Sequence, residues 1–338
     1  MRTAALVSLV GAVATCAVAA PAFAQDPAPV PPPAPQPAPQ PAPVPAPKQG
    51  RLQLEIKSAM AVHGRAYVLN GDRVTVIGHV KPYVAGQTVR VRISTAHRKP
   101  TLVHTKIAKG KGEGTFQVRF RTRRAVKYTV YARHDKTAQQ LLFAAKSATQ
   151  AVDAGGAGPG SHGMEIALLK QGLRALGYPA GSGPSWTDKL RRELMAFRKT
   201  NSMARLFTAN RQIFEMVFSA RGGFKLIHPQ AGKHVEFDWS RQVLALAQDG
   251  RVVATYHASS GKPSTPTVFG TFHFYLKSAG TNAKGMFDSN FFIRGYAIHG
   301  YPDVPTYAAS HGCIRIPNAD APTVFGWVAV GDPIYVYR

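Results

Sequence analysis

Two short stretches near the C-terminus hold residues that can do chemistry together. The first is Ile298-His299-Gly300, and the second is Ser310-His311-Gly312-Cys313-Ile314-Arg315, with ten residues between His299 and Ser310. A cysteine acts as a nucleophile in its thiolate form, and a neighbouring histidine both lowers its pKa and moves a proton. A glycine before it lets the backbone approach a substrate, and successive N–H groups at Gly312 and Cys313 could hold an oxyanion. These are the parts of acyl transfer through a thioester. The same Cys and two His could instead be three zinc ligands with water in the fourth place, or a buried structural group.

Cysteine use narrows the choice of compartment. Of 338 residues only Cys16 and Cys313 are cysteines, too few for a disulfide framework. Arg2 precedes an apolar, small-residue run from Ala4 to Ala20 that ends in Pro21-Ala22-Phe23-Ala24, the pattern of a signal peptide over residues 1–24. Cleavage there removes Cys16 and leaves Cys313 alone in an oxidising compartment, which marks it as a reactive group. Residues 25–50 carry twelve prolines between Pro27 and Pro47, a polyproline linker. The expected location is therefore outside the cytoplasm, in the wall, the periplasm or the medium, with no stable membrane span after cleavage.

The elements that must position the site follow in three regions. Over 51–150, Val74, Val76, Gly78 and Val80 alternate with polar neighbours, as do Val89, Val91 and Ile93, and then Phe116, Val118 and Phe120. Short alternating strands of this kind predict an Ig-like antiparallel β-sandwich. The formal charge of the chain is +25, and this region, with 20 basic and 4 acidic residues, holds +16 of it. Export argues against nucleic acid as the match for that charge; the two readings are a solvated face and adhesion to an anionic wall polymer, and no aromatic platform accompanies the charge.

A Gly-rich linker is expected at 151–162. Beyond it, Ile166, Leu169, Leu173 and Leu176 recur at helical spacing up to Gly177, and Trp186, Leu190, Leu194 and Phe197 repeat the pattern after Thr187 or Asp188. The order of helix, Leu176-Gly177-Tyr178, loop, helix and Ala196-Phe197 resembles the small peptidoglycan-binding domain, over 163–206. It lacks that domain's usual Asp-Gly, and Arg198 stands in place of the usual Gln. A packing role is as well supported as a binding one.

The last region, 224–338, reads as strands with Gly- and Pro-rich loops and one short helix between Asn318 and Val328. Its charge is only +3. Strands are expected at Arg241–Gln248 and Arg251–His257 around Asp249-Gly250, at Thr271–Leu276, at Phe291–Ile298 and at Ile334–Tyr337. Met286, Phe287, Phe291 and Tyr296 either line a cleft or fill the core, and core is the expectation.

The arrangement His, spacer, Ser-His-Gly-Cys-Ile-Arg resembles the L,D-transpeptidase (YkuD-like) catalytic domain. Gly261-Lys262-Pro263, Thr265-Pro266-Thr267, Gly270-Thr271-Phe272, the approach Gly295-Tyr296-Ala297-Ile298, and Asn318-Ala319-Asp320 fit the same family in order. The overall expectation is a multidomain, mainly β protein with this catalytic domain at its C-terminus. The resemblance implies that Cys313 attacks a peptidoglycan tetrapeptide stem between its third, diamino residue and D-Ala. D-Ala leaves, and a side-chain amine of a neighbouring stem resolves the acyl-enzyme into a 3→3 cross-link. It further implies His299 as general base and acid, and Gly300 as the group that orients His299 through its carbonyl. His311, Gly312, Ser310, Arg315 and Tyr296 are left to shape the loop, hold the oxyanion or touch substrate, with Arg315 suited to a stem carboxylate. The chemistry implied uses no cofactor or metal. A carboxypeptidase or endopeptidase with water as acceptor, and a non-catalytic wall-binding protein, are the alternatives. The sequence does not set the oligomeric state.

Overall fold

A computed structural model describes residues 45–57 and 59–338; the expected signal peptide and most of the proline-rich linker lie outside the described residues. Ten strands come first: β1 (Arg51–Lys57), β2 (Met60–Val62), β3 (Arg65–Leu69), β4 (Arg73–Lys81), β5 (Thr88–Ser94), β6 (Thr101–Lys106), β7 (Ala108–Lys109), β8 (Gly114–Arg121), β9 (Lys127–His134) and β10 (Phe143–Val152). They form two sheets, ordered β1-β4-β8-β7 and β2-β3-β10-β9-β5-β6. The period-two pattern is the cause. Val74, Val76 and Val80 from one sheet and Val89, Val91, Val130 and Ala132 from the other are buried in one core. One sequence expectation changes here. Tyr131 pairs with Arg92 across β9 and β5, so an aromatic ring does stand among the arginines of the outer face.

The helical region holds β11 (Gly156–Ala157), α1 (Met164–Ala175), α2 (Asp188–Thr200), β12 (Ala209–Asn210) and α3 (Arg211–Phe218). The start signal of α2 is Thr187, whose hydroxyl accepts from the Leu190 N–H at 3.1 Å. The segment 151–162 is not an open linker. Val152 closes β10, Gly156–Ala157 pair with Ala209–Asn210, and Ala154 and Ala157 are buried with Ile166, Leu169 and Leu194. Small side chains serve packing here as well as flexibility. Helix α3 lies beyond the expected end of the helical region and contributes Ile213, Phe214 and Val217 to the same core.

The last region contains β13 (His234–Asp238), β14 (Val243–Gln248), β15 (Arg251–His257), β16 (Gly270–His273), β17 (Leu276–Thr281), β18 (Phe287–Ile293), β19 (Tyr296–Tyr301), β20 (Ile314–Pro317), α4 (Ala321–Trp327) and β21 (Pro333–Tyr337). One sheet runs β15-β14-β13-β21-β16 and the other β17-β18-β19-β20. Asp249 and Gly250, at φ 50° and 74°, make the β14–β15 turn, as an Asp-Gly pair between apolar runs should. Two expected strands divide. Phe291–Ile298 is interrupted by a turn at Arg294-Gly295, and Thr271–Leu276 is shared between β16 and β17 in different sheets.

Helix α2 packs on β15 and β14 and ties the helical region to this one. Arg192 donates to both carboxylate oxygens of Asp320, from Nε at 2.8 Å and Nη2 at 3.0 Å. Lys199, buried, donates from Nζ to the Ala258 carbonyl at 2.8 Å and lies 3.2 Å from His257 Nδ1. Among the described residues no helix is long and apolar enough to cross a membrane.

Candidate functional site

Strands β19 and β20 run parallel, with Ile298 opposite Ile314 and His299 opposite Arg315. Ile298, Ile314 and Ile316 are buried in the core against Ala321 and Val324 of α4. Strand alternation therefore sends His299, Tyr301 and Arg315 to the other face of the sheet, together with Cys313 just before β20. The same apolar side chains that seat the strands decide which face carries the chemistry.

His299 is 3% exposed. Its Nδ1 donates to the Gly300 carbonyl at 2.8 Å, since a carbonyl can only accept. That fixes the proton on Nδ1 and leaves the Nε2 lone pair available. Burial pushes the imidazole pKa below its ordinary value, and the charge of Arg315 adds to this while the Gly300 bond opposes it. His299 is accordingly neutral at physiological pH, as a base must be. Gly300 is itself wedged in, since a side chain there would meet Ala321 and Asn318.

Cys313 is partly exposed, with Sγ donating to the Gly295 carbonyl at 3.6 Å. Burial pushes its thiol up; the Ala297 backbone and the charges of Arg315 and Lys284 pull the other way without reversing it. Both shifts favour the uncharged forms, a thiol and a neutral imidazole.

The loop before Cys313 is pinned from within and from the preceding segment. Ser310 Oγ donates to the Cys313 carbonyl at 2.5 Å and accepts from the Gly312 N–H at 3.0 Å. The expected pair of oxyanion donors is thereby halved, because the Gly312 N–H is committed inside the loop; of the two, the Cys313 N–H remains as the candidate. Thr267 Oγ1 donates to the Gly312 carbonyl at 2.7 Å, and Thr265 Oγ1 to the Ser310 carbonyl at 3.1 Å. Gly312 has φ 122°, and a Cβ built on it would lie 2.1 Å from a ring carbon of Tyr296. Only glycine meets both demands. Tyr296 is thus half-buried against this loop, and it also packs against the hydrophobic core, as expected. His311 is exposed on the loop, whereas His299 is buried.

The Arg315 guanidinium lies 4.0 Å from the centre of the Tyr301 ring, and that ring meets His299 edge-on at 5.8 Å. Tyr301 escaped the sequence reading, yet its position two residues after His299 on a strand placed it on the same face. Lys284, from the β17–β18 turn, was likewise unremarked; its charge reaches Cys313 from a different hairpin. Among the described residues no three His, Cys, Asp or Glu side chains are gathered as metal ligands, so His299, His311 and Cys313 do not form a zinc cage. A cavity of about 1130 Å³ between the sandwich and α1 contains none of the site residues.

Comparison with known proteins finds relatives of the region that holds this site. Residues 232–336 match the family model of the L,D-transpeptidase catalytic domain, YkuD. L,D-transpeptidase 1 of Mycobacterium tuberculosis is 30% identical over 118 residues, covering 29% of this chain and 47% of that protein. The chain thus spans about half the length of the curated relatives it matches. Among solved structures, the L,D-transpeptidase (residues 123–326) of Xylanimonas cellulosilytica is 29% identical, covers 54% of this chain and 97% of its own, and superposes with a TM-score of 0.49. The catalytic domain of the Enterococcus faecium L,D-transpeptidase is 28% identical over 32% of this chain and 98% of its own, with a TM-score of 0.28. The region that carries Cys313 and His299 is thus similar to L,D-transpeptidase catalytic domains of the YkuD family.

Proposed function

We propose that the protein is an exported cysteine L,D-transpeptidase that forms 3→3 cross-links between peptidoglycan stems. The observation that carries the reading is the His299 Nδ1–Gly300 bond on the sheet face shared with Cys313, which presents a neutral imidazole with its acceptor nitrogen available. In the first half-reaction Cys313 Sγ attacks the carbonyl of the third, diamino residue of a tetrapeptide stem, and His299 takes the thiol proton. The C–N bond to D-Ala breaks, and His299 returns that proton to the departing amine. The product is a thioester and free D-Ala. In the second half, the side-chain amine of another stem attacks the thioester carbonyl and loses a proton to His299. The C–S bond breaks and the thiol is restored.

The other residues serve this pair. The Cys313 N–H would hold the oxyanion, while Ser310 and the Thr267 hydroxyl hold the loop and Tyr296 lies against Gly312. Arg315, stacked on Tyr301 and with no carboxylate partner among the described residues, is suited to a stem carboxylate. The signal-like N-terminus supports action outside the cytoplasm, and the basic sandwich supports residence on anionic wall polymer.

The test uses purified disaccharide tetrapeptides and mass spectrometry. Wild-type protein should release D-Ala and give a 3→3 dimer, and Cys313→Ala should give neither. A dimer from Cys313→Ala would refute the nucleophile, and a tripeptide product without dimer would assign the enzyme to hydrolysis.

A further inference from the structure

The register of the sandwich sets out a basic grid on the outer face of its larger sheet. His104, Arg90 and Arg133 stand opposite one another across β6, β5 and β9. In the next row stand Leu102, Arg92 and Tyr131, with Lys146 of β10 beyond. Their in-sequence neighbours Val89, Val91, Val130 and Ala132 are buried, so this set faces outward.

Like charges directly opposite on adjacent strands oppose folding, and a surface chosen for stability alone would not place Arg90 against Arg133. Asp135 relieves that pair in part, at 2.7 Å from Arg90 Nη2 and 2.9 Å from Arg133 Nε. Arg92 sits over the Tyr131 ring at 5.7 Å, and among the described residues neither Arg92 nor Lys146 has a carboxylate within ion-pair distance. Leu102, 67% exposed, borders the same cleft, whose volume is about 470 Å³.

The two kinds of side chain ask for two features in one ligand. Guanidinium groups bind carboxylate or phosphate oxygens through paired N–H donors. A half-buried ring beside an exposed leucine favours a flat C–H surface, such as the face of a sugar. A charged polysaccharide supplies both at every repeat.

We propose that this cleft, built on Arg92, Arg133, Tyr131 and Leu102, binds an anionic sugar polymer bearing carboxylate or phosphodiester groups. It rests on the reading that the sandwich meets wall polymer and is independent of the Cys313 chemistry.

The experiment measures binding of the full chain to polygalacturonate and to a glycosylated poly(glycerol phosphate), by fluorescence anisotropy at fixed salt. At least one probe should bind. If only polygalacturonate binds, the anion is carboxylate; if only the other, it is phosphodiester. Arg92→Gln/Arg133→Gln should weaken that binding by about tenfold or more, the loss of two charged hydrogen-bond donors. Tyr131→Ala should weaken it by about threefold or more through lost stacking. Arg123→Gln/Arg124→Gln removes the same charge from an exposed turn outside the cleft and should change binding less than either. Cross-linking of soluble muropeptides should be the same in all three variants, which separates this test from that of the catalytic reading. Equal loss from both arginine pairs would reduce the effect to overall charge and overturn the site. An unchanged Tyr131→Ala would remove the sugar contact. No binding to either probe, or tighter binding to single-stranded DNA or anionic vesicles, would refute the proposal.

Discussion

His299 and Gly300 are joined by a hydrogen bond within one residue of chain: Nδ1 donates to the neighbouring carbonyl at 2.8 Å. The bond decides which ring nitrogen is a donor and which can accept. It thereby distinguishes the two histidines that the sequence places near Cys313.

The first expectation follows directly. His299→Ala should lower kcat/KM for dimer formation by about a hundredfold or more, the scale of a lost general base. His311→Ala, at an exposed position, should change it by only a few fold. Steady-state rates with a defined tetrapeptide donor decide this. Equal losses at the two positions would reverse the assignment.

The pH profile is set by the shifted groups. On the proposed mechanism activity needs a neutral His299, whose pKa is depressed by burial, so the acid limb of kcat/KM should lie below the usual histidine value of about 6.5. The Cys313 thiol is raised by burial, so the alkaline change should lie above the usual cysteine value. Arg315 lowers both, and Arg315→Gln should move both limbs upward. The same sign governs stability. A histidine with a depressed folded pKa contributes a penalty that grows as pH falls below its unfolded value, because the buried ring must then take up charge. A profile with its acid limb above the free-histidine value would contradict the geometry.

The scaffold was unevenly legible in the sequence. Cys313 and His299 stood out because their types and spacing are chemically specific, and Asp249-Gly250 marked its hairpin without ambiguity. Strand β13 was missed because all five residues from His234 to Asp238 are buried, including three that are polar. Its five residues do alternate polar and apolar, but the segment is short and its polar side chains read as solvated, whereas Glu236 is buried and accepts from the Ile227 and His228 N–H groups. The clamp of Thr267 on Gly312 and the stacking of Arg315 on Tyr301 depend on side chains meeting across segments, and nothing local announces either. Tyr131 lacked meaning in the sequence for the same reason; the register of β9 with β5 is what sets it beside Arg92.

The contact between the helical and catalytic regions gives a third expectation. Arg192 and Asp320 are 128 positions apart and form a two-point ion pair, with side chains 15% and 4% exposed. Removing one partner of a buried pair strands the other charge. Arg192→Ala should destabilise the protein by about 3–5 kcal/mol. Arg192→Ala/Asp320→Asn should recover part of that loss, since no charge remains to be buried alone. Urea unfolding of the two variants measures the difference, and a harmless Arg192→Ala would show that the two regions do not depend on this contact.

One turn of α2 holds a group with the opposite problem. Glu193 is 1% exposed, and neither of its carboxyl oxygens has a hydrogen-bond partner. Burial drives its pKa well above the ordinary carboxyl value, Asp320 adds repulsion, and Arg192 offsets only part of this. The folded state therefore holds a proton that the unfolded state releases. For a carboxyl raised on folding, stability is highest below the unfolded pKa and falls as pH rises toward the folded one. Glu193→Gln removes the titration but keeps the shape. The variant should lose the decline in stability between about pH 5 and pH 8 that this group causes, and gain about 1–3 kcal/mol at the upper end. Thermal melts of both proteins across that range provide the measurement. A wild-type curve that rises with pH while Glu193→Gln lowers stability at pH 8 would mean that Glu193 is ionised and supported by a partner, in conflict with its surroundings.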